Sequence, residues 1–444
     1  MYVLFVSGLS GDTRRYRCLH HQEQLALFGF TSVLREAGDP QLYVDAALCD
    51  LVILHRVPWT PLIADVVDIA HWRGKPVVFE TDDLVFAPEV FDRIAFLDTL
   101  PPDQAQHFRA DLARQVETFH HADCVLTTTQ YLADAATERG KPAYVQRNAF
   151  SAEMVDAAEQ AYTLRQQHRS AQPDDPQRPV FIGYFSGTGS HNRDFALVAP
   201  VLADLMAQNP RLWLHLSGHL ETGGVLLAFA DRIRRAPYVA WQELPSLIAQ
   251  VDINLAPLEL DNPFCQAKSE IKFTEAALVG VPTVASPTEA YVHAMRDGET
   301  GLLAADAGAW RATLKALSED PEARRRLGEA ARRAVYATYL PDARGRYLVD
   351  TLRTVVAQHA PPAADPAATL AAVTVRMHTQ LDRMQGERAQ LQRQVDQLRQ
   401  TLTQWDGQSG GKDASFWRAS LEETQARQNT ALREILARLT RSGA

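Results

Sequence analysis

The sequence is poor in cysteine, with four in 444 residues and no two close enough to form a CxxC pair. That spacing argues against a disulfide scaffold or a zinc knuckle, and implies free thiols in a reducing cytoplasm. No apolar run approaches the roughly 18 residues of a membrane span, so membrane contact would be peripheral, at the inner face. The opening "MYVLFVSGLSGD" has no basic start and reads as a first strand rather than a signal peptide. Basic excess is missing too. A formal net charge of −9 gives no footprint for nucleic acid. There is neither a GxGxxG turn nor a GxxxxGKS/T loop, which weighs against a dinucleotide oxidoreductase and a P-loop ATPase.

What is present is alternation. "YVLFVSG", "LVILHRV", "PVVFETD", "CVLTTT" and "AYVQRN" are near-continuous apolar runs separated by helical stretches, the pattern of a parallel sheet buried on both faces. After the proline-rich "SAQPDDPQRP" the alternation restarts with "VFIGYFSGTGS", "LWLHLSGHL", "YVAW", "INLAPLEL", "VPTVASP" and "GLLAAD". These runs predict two Rossmann-like α/β domains, 1–170 and 178–358, facing a cleft at the carboxyl ends of their strands. A Pro/Ala linker, 359–369, leads to a helical tail, 370–440. There Leu370, Thr374, Met377, Leu381, Met384, Arg388, Leu391 and their successors to Trp405 alternate spacings of four and three. That seam predicts a coiled coil, hence a homo-oligomer, with an intramolecular helical hairpin as the alternative.

Three segments carry chemistry. "VVFETDDLVF" ends a strand with Glu80, Asp82 and Asp83; such acids suit a metal site, a helix cap, or a group that orients or deprotonates a hydroxyl. "FIGYFSGTGSHNRDF" is strand, glycine turn, helix. Gly187 frees the backbone, Thr188 offers a hydroxyl and Arg193 follows one turn later, a pattern that suits an anion site as well as an ordinary turn. In "NPFCQAKSEIKFTEAALVGVPTVAS", Lys268, Lys272 and Glu275 fall four and three apart, on one helix face. Ammonium groups beside a glycine turn suit a diphosphate and a carboxylate suits ribose hydroxyls, although Lys272 and Glu275 at this spacing also suit a solvated ion pair.

The order of "ETDDLVF", "RNAFS", "IGYFSGTGSHNRDF", "DINLAPLE", "KSEIKFTEAALVGVPTVAS" and "MRDGETGLL" resembles the GT-B glycosyltransferases of the family-4-like group, over about residues 1–355. The resemblance implies a metal-independent transfer of sugar from a UDP- or GDP-linked donor to a glycan, protein or lipid-linked hydroxyl, with no cofactor. By that resemblance Glu275 binds the donor ribose, and Arg193 with Lys268 and Lys272 holds the diphosphate near Gly187 and Thr188. Asp82 and Asp83 become the catalytic pair on the acceptor side, with Arg17 and Glu80 near them. Three places depart from the family pattern, one of them Asp82-Asp83, where His-Asp is common. Thr188 stands where an arginine is usual, and Ala267 where the first glutamate of an E-x7-E pair normally touches the sugar. Those departures keep a second expectation open, a non-catalytic GT-B scaffold recruiting partners through its tail. A same-fold nucleotide-sugar epimerase is a third.

Overall fold

The computed structural model describes residues 1–171, 178–187 and 192–360, with a few single positions between 371 and 397. Residues 1–39 with 45–362 form one compact unit, and 40–44 with 363–444 another. The heptad seam and the Pro/Ala linker fall almost entirely outside the described residues, as does Thr188.

The first unit contains two six-stranded sheets, and every neighbouring pair of strands in them is parallel. The first has the order β2-β1-β3-β4-β5-β6, from β1 (Tyr2–Ser7), β2 (Thr31–Glu36), β3 (Leu51–His55), β4 (Val77–Thr81), β5 (Cys124–Thr127) and β6 (Ala143–Val145). The second runs β12-β11-β10-β7-β8-β9, from β7 (Val180–Ser186), β8 (Leu212–Gly218), β9 (Ile233–Ala236), β10 (Ile253–Ala256), β11 (Thr283–Ala285) and β12 (Leu302–Leu303). Central strands are apolar throughout because helices cover both faces: all of β3, β4 and β5 is buried. In each sheet the chain reverses its direction of growth once, between β1 and β3 and between β7 and β10. Open parallel sheets bind ligands at such switch points, beyond the strand carboxyl ends.

Two edge strands depart from the sequence reading. β2 was hidden by its mixed composition, TSVLRE, and is half-exposed. β9 is Ile233–Ala236, IRRA, and not the expected "YVAW" at 238–241. Arg234 stacks its guanidinium 4.3 Å from the Phe181 ring centroid and 5.7 Å from that of Trp213, so an arginine-rich segment contributes packing surface at the sheet edge.

The halves also exchange a helix. Residues 152–171 lie in the first half of the sequence, but Met154, Ala158 and Ala161 pack into a cluster with Phe273, Ala276 and Val281 of the second. Conversely, helix 341–358 inserts Leu348, Val349, Leu352 and Val355 among Val3, Phe5 and Leu25 beneath the first sheet. All four cysteines are free and buried. No helix among the described residues is long and apolar enough to cross a membrane.

Candidate active site

The chain leaves β3 through Arg56, which has φ +47°, a left-handed conformation that costs a side-chain-bearing residue about 1–2 kcal/mol. Its neighbour across the switch point explains how closely the backbones meet. A Cβ at Gly8 would lie 2.4 Å from the Arg56 carbonyl oxygen. The turn aims Arg56 at the acids after β4, where one guanidinium nitrogen (Nη1) donates to Asp82 Oδ1 at 3.2 Å and to Asp83 Oδ2 at 2.9 Å. Thr13, in the first helical turn after β1, donates its hydroxyl to Asp82 Oδ2 at 2.5 Å. His55 Nε2 lies 3.2 Å from the same hydroxyl and its Nδ1 lies 3.0 Å from Ser7 Oγ. With Thr13 donating to Asp82, its oxygen is left to accept from His55 Nε2–H, which makes a His55–Thr13–Asp82 relay.

Burial raises the Asp82 carboxyl, but Arg56 and the Thr13 hydrogen bond outweigh it and hold the group well below the usual carboxylate range. Burial lowers His55 to about 3, so the imidazole is neutral. A carboxylate held so firmly ionised is a weak base. Asp82 is therefore suited to orienting a hydroxyl and to electrostatic stabilisation more than to removing a proton.

Arg17 and Glu80, expected on the acceptor side of the cleft, are placed elsewhere. Both side chains are 0% exposed and they pair at 2.6 Å. Arg17 also donates to the Gln146 carbonyl at 2.8 Å and to Asn148 Oδ1 at 3.0 Å. Glu80 lies within β4, in register with His55, where no solvent reaches. Burial pushes its carboxyl up to about 7, against the pull of Arg17. This pair is a strut behind the cleft wall, and neither residue lines the cleft.

In the second half, the helix begins only at Ile271, so Lys268 precedes it in a turn and does not share the face of Lys272 and Glu275. The three groups find separate partners. Lys268 Nζ crosses to Asp83 Oδ1 at 2.6 Å. Lys272 donates to the Phe185 carbonyl at the end of β7 and sits 5.0 Å from the Tyr184 ring centroid; burial lowers its ammonium. Glu275 accepts from the Tyr16 hydroxyl at 2.7 Å. Burial raises its carboxyl, while Tyr16, Arg15 and Lys272 oppose the shift.

Arg193 stands at the surface. It is exposed on the first turn of helix 192–208 and is not among the cleft-lining residues; its neighbour Asp194 faces inward instead, because successive helical residues diverge by roughly 100°. Gly187 does line the cleft.

The cleft itself measures about 610 Å³. Asp12, Tyr16, Arg56, Asp82 and Asp83 line it from the first half, and Gly187, Trp241, Lys268, Lys272 and Glu275 from the second. Asp12 also accepts from the Tyr238 hydroxyl at 3.1 Å, and Arg15 stacks 4.9 Å from the Trp241 ring centroid. A site of this kind offers the Lys272 ammonium and the Glu275 carboxyl from the second-half wall, and from the first-half wall Asp82 and Asp83, which Arg56 bridges and Lys268 reaches. Asp194, Glu259 and Cys265 place ligand-type atoms within 4.8 Å of one another, outside the cleft lining. Burial raises the Cys265 thiol, so it is held protonated.

Sequence reasoning missed Thr13, Tyr16, His55 and Arg56. For the last two the signal was available: "LVILHRV" ends a buried strand in polar residues just as "VVFETDD" does, at the neighbouring strand. Thr13 and Tyr16 had no comparable mark, since a loop after a first strand is polar in most proteins.

Residues 198–350 match a family described as "Glycosyl transferase-like". No curated protein sequence matches the chain. Among solved structures, Alr3699/HepE from Anabaena, in complex with UDP and glucose, superposes with a TM-score of 0.54 at 17% identity, covering 80% of this chain and 100% of that one. A glycosyltransferase from Rickettsia africae gives 0.54 at 12% identity, covering 80% and 99%. Sucrose-phosphate synthase from Thermosynechococcus elongatus gives 0.50 at 16%, again covering 80% and 99%. The likeness is one of fold: two Rossmann-like domains in the GT-B arrangement.

Proposed function

We propose that this chain, a glycosyltransferase by the family match of its second half and by its GT-B fold, moves a sugar from a nucleoside-diphosphate donor to an acceptor hydroxyl. The observation that carries the reading is that Glu275, Lys272 and Lys268 of the second half line one cleft with Asp82 and Asp83 of the first, Lys268 reaching across it to Asp83. Glu275 holds the ribose hydroxyls, and the two ammonium groups with the amides around Gly187 take the diphosphate. The acceptor oxygen bonds to the anomeric carbon as the bond from that carbon to the diphosphate breaks. The diphosphate leaves with the electron pair, and the hydroxyl proton is released to solvent. Negative charge grows on the leaving group, where fixed cations stabilise it most. Asp82 and Asp83 orient the incoming hydroxyl.

The chemistry is metal-independent in this reading. Asp82 and Asp83 are already neutralised by Arg56 and Lys268, which leaves them poor competitors for a divalent cation. Uridine is the favoured nucleotide, since the structural neighbour HepE holds UDP. Calorimetry with UDP and GDP tests the donor site. Binding of UDP that weakens roughly tenfold to a hundredfold in Glu275→Ala, the loss of a charged hydrogen bond, with little change in melting temperature, supports it. Undiminished binding removes Glu275 from the site.

The scaffold reading retains one specific support. Ala267 is fully buried and lacks the carboxylate expected to touch the sugar. A scaffold binds no nucleotide sugar, so calorimetry with a panel of nucleotide sugars separates the two.

A further inference from the structure

The first-half wall of the cleft changes chemistry beyond Asp83. Up to that point it is polar: Thr13, Arg56, Asp82 and Asp83. Past it comes a strip of Val85, Ile94, Phe96, Phe108, Leu112 and, from the second half, Phe264, while the polar Asn148 and Ser269, hydrogen-bonded to each other, line the cleft beside it. Val85, Ile94 and Leu112 form a buried floor, while Phe96, Phe108 and Phe264 are half-buried and offer ring surface to the cleft. Phe96 and Phe108 meet edge-on with centroids 5.8 Å apart.

This strip is continuous with the aspartates. Val85 donates its backbone N–H to the Asp83 carbonyl at 2.9 Å. Phe264 lies 4.5 Å from Lys268 Nζ, the group that reaches Asp83. The short turns that carry Ile94 and Phe96, residues 88–99, are pinned across the cleft as well. Arg93 donates to the Asp261 carbonyl at 3.1 Å, and Asn262 Nδ2 donates to the Arg93 carbonyl at 3.2 Å.

None of the six side chains carries a nitrogen or oxygen. A polar glycan acceptor brings several ring hydroxyls, each of which loses water on entering the cleft and needs a partner there. This strip supplies none, whereas it removes apolar surface from water at no such cost. We infer that the acceptor carries an apolar group, an aryl ring or an alkyl chain, next to the hydroxyl that is glycosylated, and that this group lies on the Val85–Phe264 strip. The inference rests on the glycosyl-transfer reading, and it defines the acceptor as an amphipathic alcohol whose apolar part, not a second sugar, is recognised.

The test uses the full chain saturated with UDP, titrated calorimetrically with benzyl alcohol, with n-octyl glucoside below its micelle threshold, and with glucose and maltotriose. The expected result is that at least one apolar ligand binds tenfold or more tightly than either free sugar. Phe108→Ser and Phe96→Ser should each weaken that binding roughly tenfold and leave the UDP affinity unchanged. Preference for benzyl alcohol marks an aryl group and preference for octyl glucoside an alkyl chain. Free sugars binding as tightly as the apolar ligands would overturn the inference. So would apolar binding that both variants leave intact, or no binding of any of the four to the UDP-loaded protein. If Phe108→Ser lowers the melting temperature sharply, the half-exposed Phe96→Ser carries the test. Failure of UDP itself to bind is a separate outcome, which overturns the donor reading and this inference with it.

Discussion

Lys268 Nζ lies 2.6 Å from Asp83 Oδ1, and this contact ties the second half of the molecule to the first across the cleft that must admit the donor. Asp83 and the donor diphosphate thus compete for one ammonium group. Asp83→Asn keeps the shape and removes the competing charge, so UDP affinity should rise severalfold. Lys268→Ala should lower it. Titrations in low and high salt provide the check, because a phosphate–ammonium contact weakens as screening increases. Equal UDP affinity in all three proteins would take Lys268 out of the donor site.

Tyr16 should tune the donor site from the opposite wall. Its hydroxyl is the hydrogen bond that most opposes the upward shift of the partly buried Glu275. Tyr16→Phe leaves that carboxylate less stabilised, so protonation reaches it at higher pH. UDP binding in the variant should begin to weaken at a higher pH than in the parent when pH is lowered. Superimposable binding profiles would mean that the Tyr16 contact is incidental to Glu275.

How far the sequence could be read follows from how each feature is written in it. Buried central strands announce themselves through continuous apolar runs, and the paired set of alternations was enough for two Rossmann-like domains. β2 and β9 did not, because edge strands are half solvated and their composition is set by the solvent side. The helix exchange was illegible as well: an amphipathic stripe at 152–171 or 341–358 states that a helix packs, not on which sheet. Among the site residues, Glu275 and Lys272 project from a regular helix whose periodicity places them. Lys268 fell one turn too early, since Glu270 has non-helical backbone angles and the helix starts after it. Arg17 and Glu80 were misplaced for a different reason. Charge in a strand suggests a ligand, but opposite charges distant in sequence satisfy each other when the fold brings them together.

That buried pair predicts a stability effect rather than a binding effect. Removing Glu80 strands the Arg17 guanidinium in a medium that does not solvate it, at a cost of about 3–5 kcal/mol, whereas removing Arg17 leaves a carboxyl already raised to about 7 free to take up a proton. Glu80→Gln should therefore destabilise the chain by that order, and Arg17→Met in the same background should recover part of the loss. Denaturant unfolding measures both. A single variant within about 0.5 kcal/mol of the parent, the usual range for an exposed site, would contradict the strut role.

The heptad pattern from Leu370 to Trp405 predicts assembly. A chain ending near Pro361 should be a nucleotide-binding monomer, and the full chain a homo-oligomer. Arg388 in the seam is unfavourable in a dry core and sets register or strand number instead. Light scattering on both proteins decides. A monomeric full chain would favour a hairpin tail, and an oligomeric truncation would put the interface in the α/β domains.

The buried histidines set the acid limit of the fold. His55 is lowered to about 3 and His20 to about 4, both mainly by burial, and His21 is lowered as well, by burial first and then by Arg17. In the unfolded chain each titrates near its ordinary value of about 6.5. Between pH 6.5 and 4 the unfolded state therefore binds protons at these histidines that the folded state refuses, and their contribution to stability falls as pH falls, partly offset at the upper end by Glu80 with its carboxyl raised to about 7. Each such group contributes a slope of about 1.4 kcal/mol per pH unit over that window. His55→Gln keeps a hydrogen-bonding side chain without an acid-range titration, so it should make the stability profile shallower by about one proton's worth below pH 6. Urea unfolding of the two proteins at intervals from pH 7 to pH 4.5 measures the difference. Parallel profiles would mean that His55 is protonated in the folded state, and the His55–Thr13–Asp82 relay would then have to be redrawn with a cation at its head.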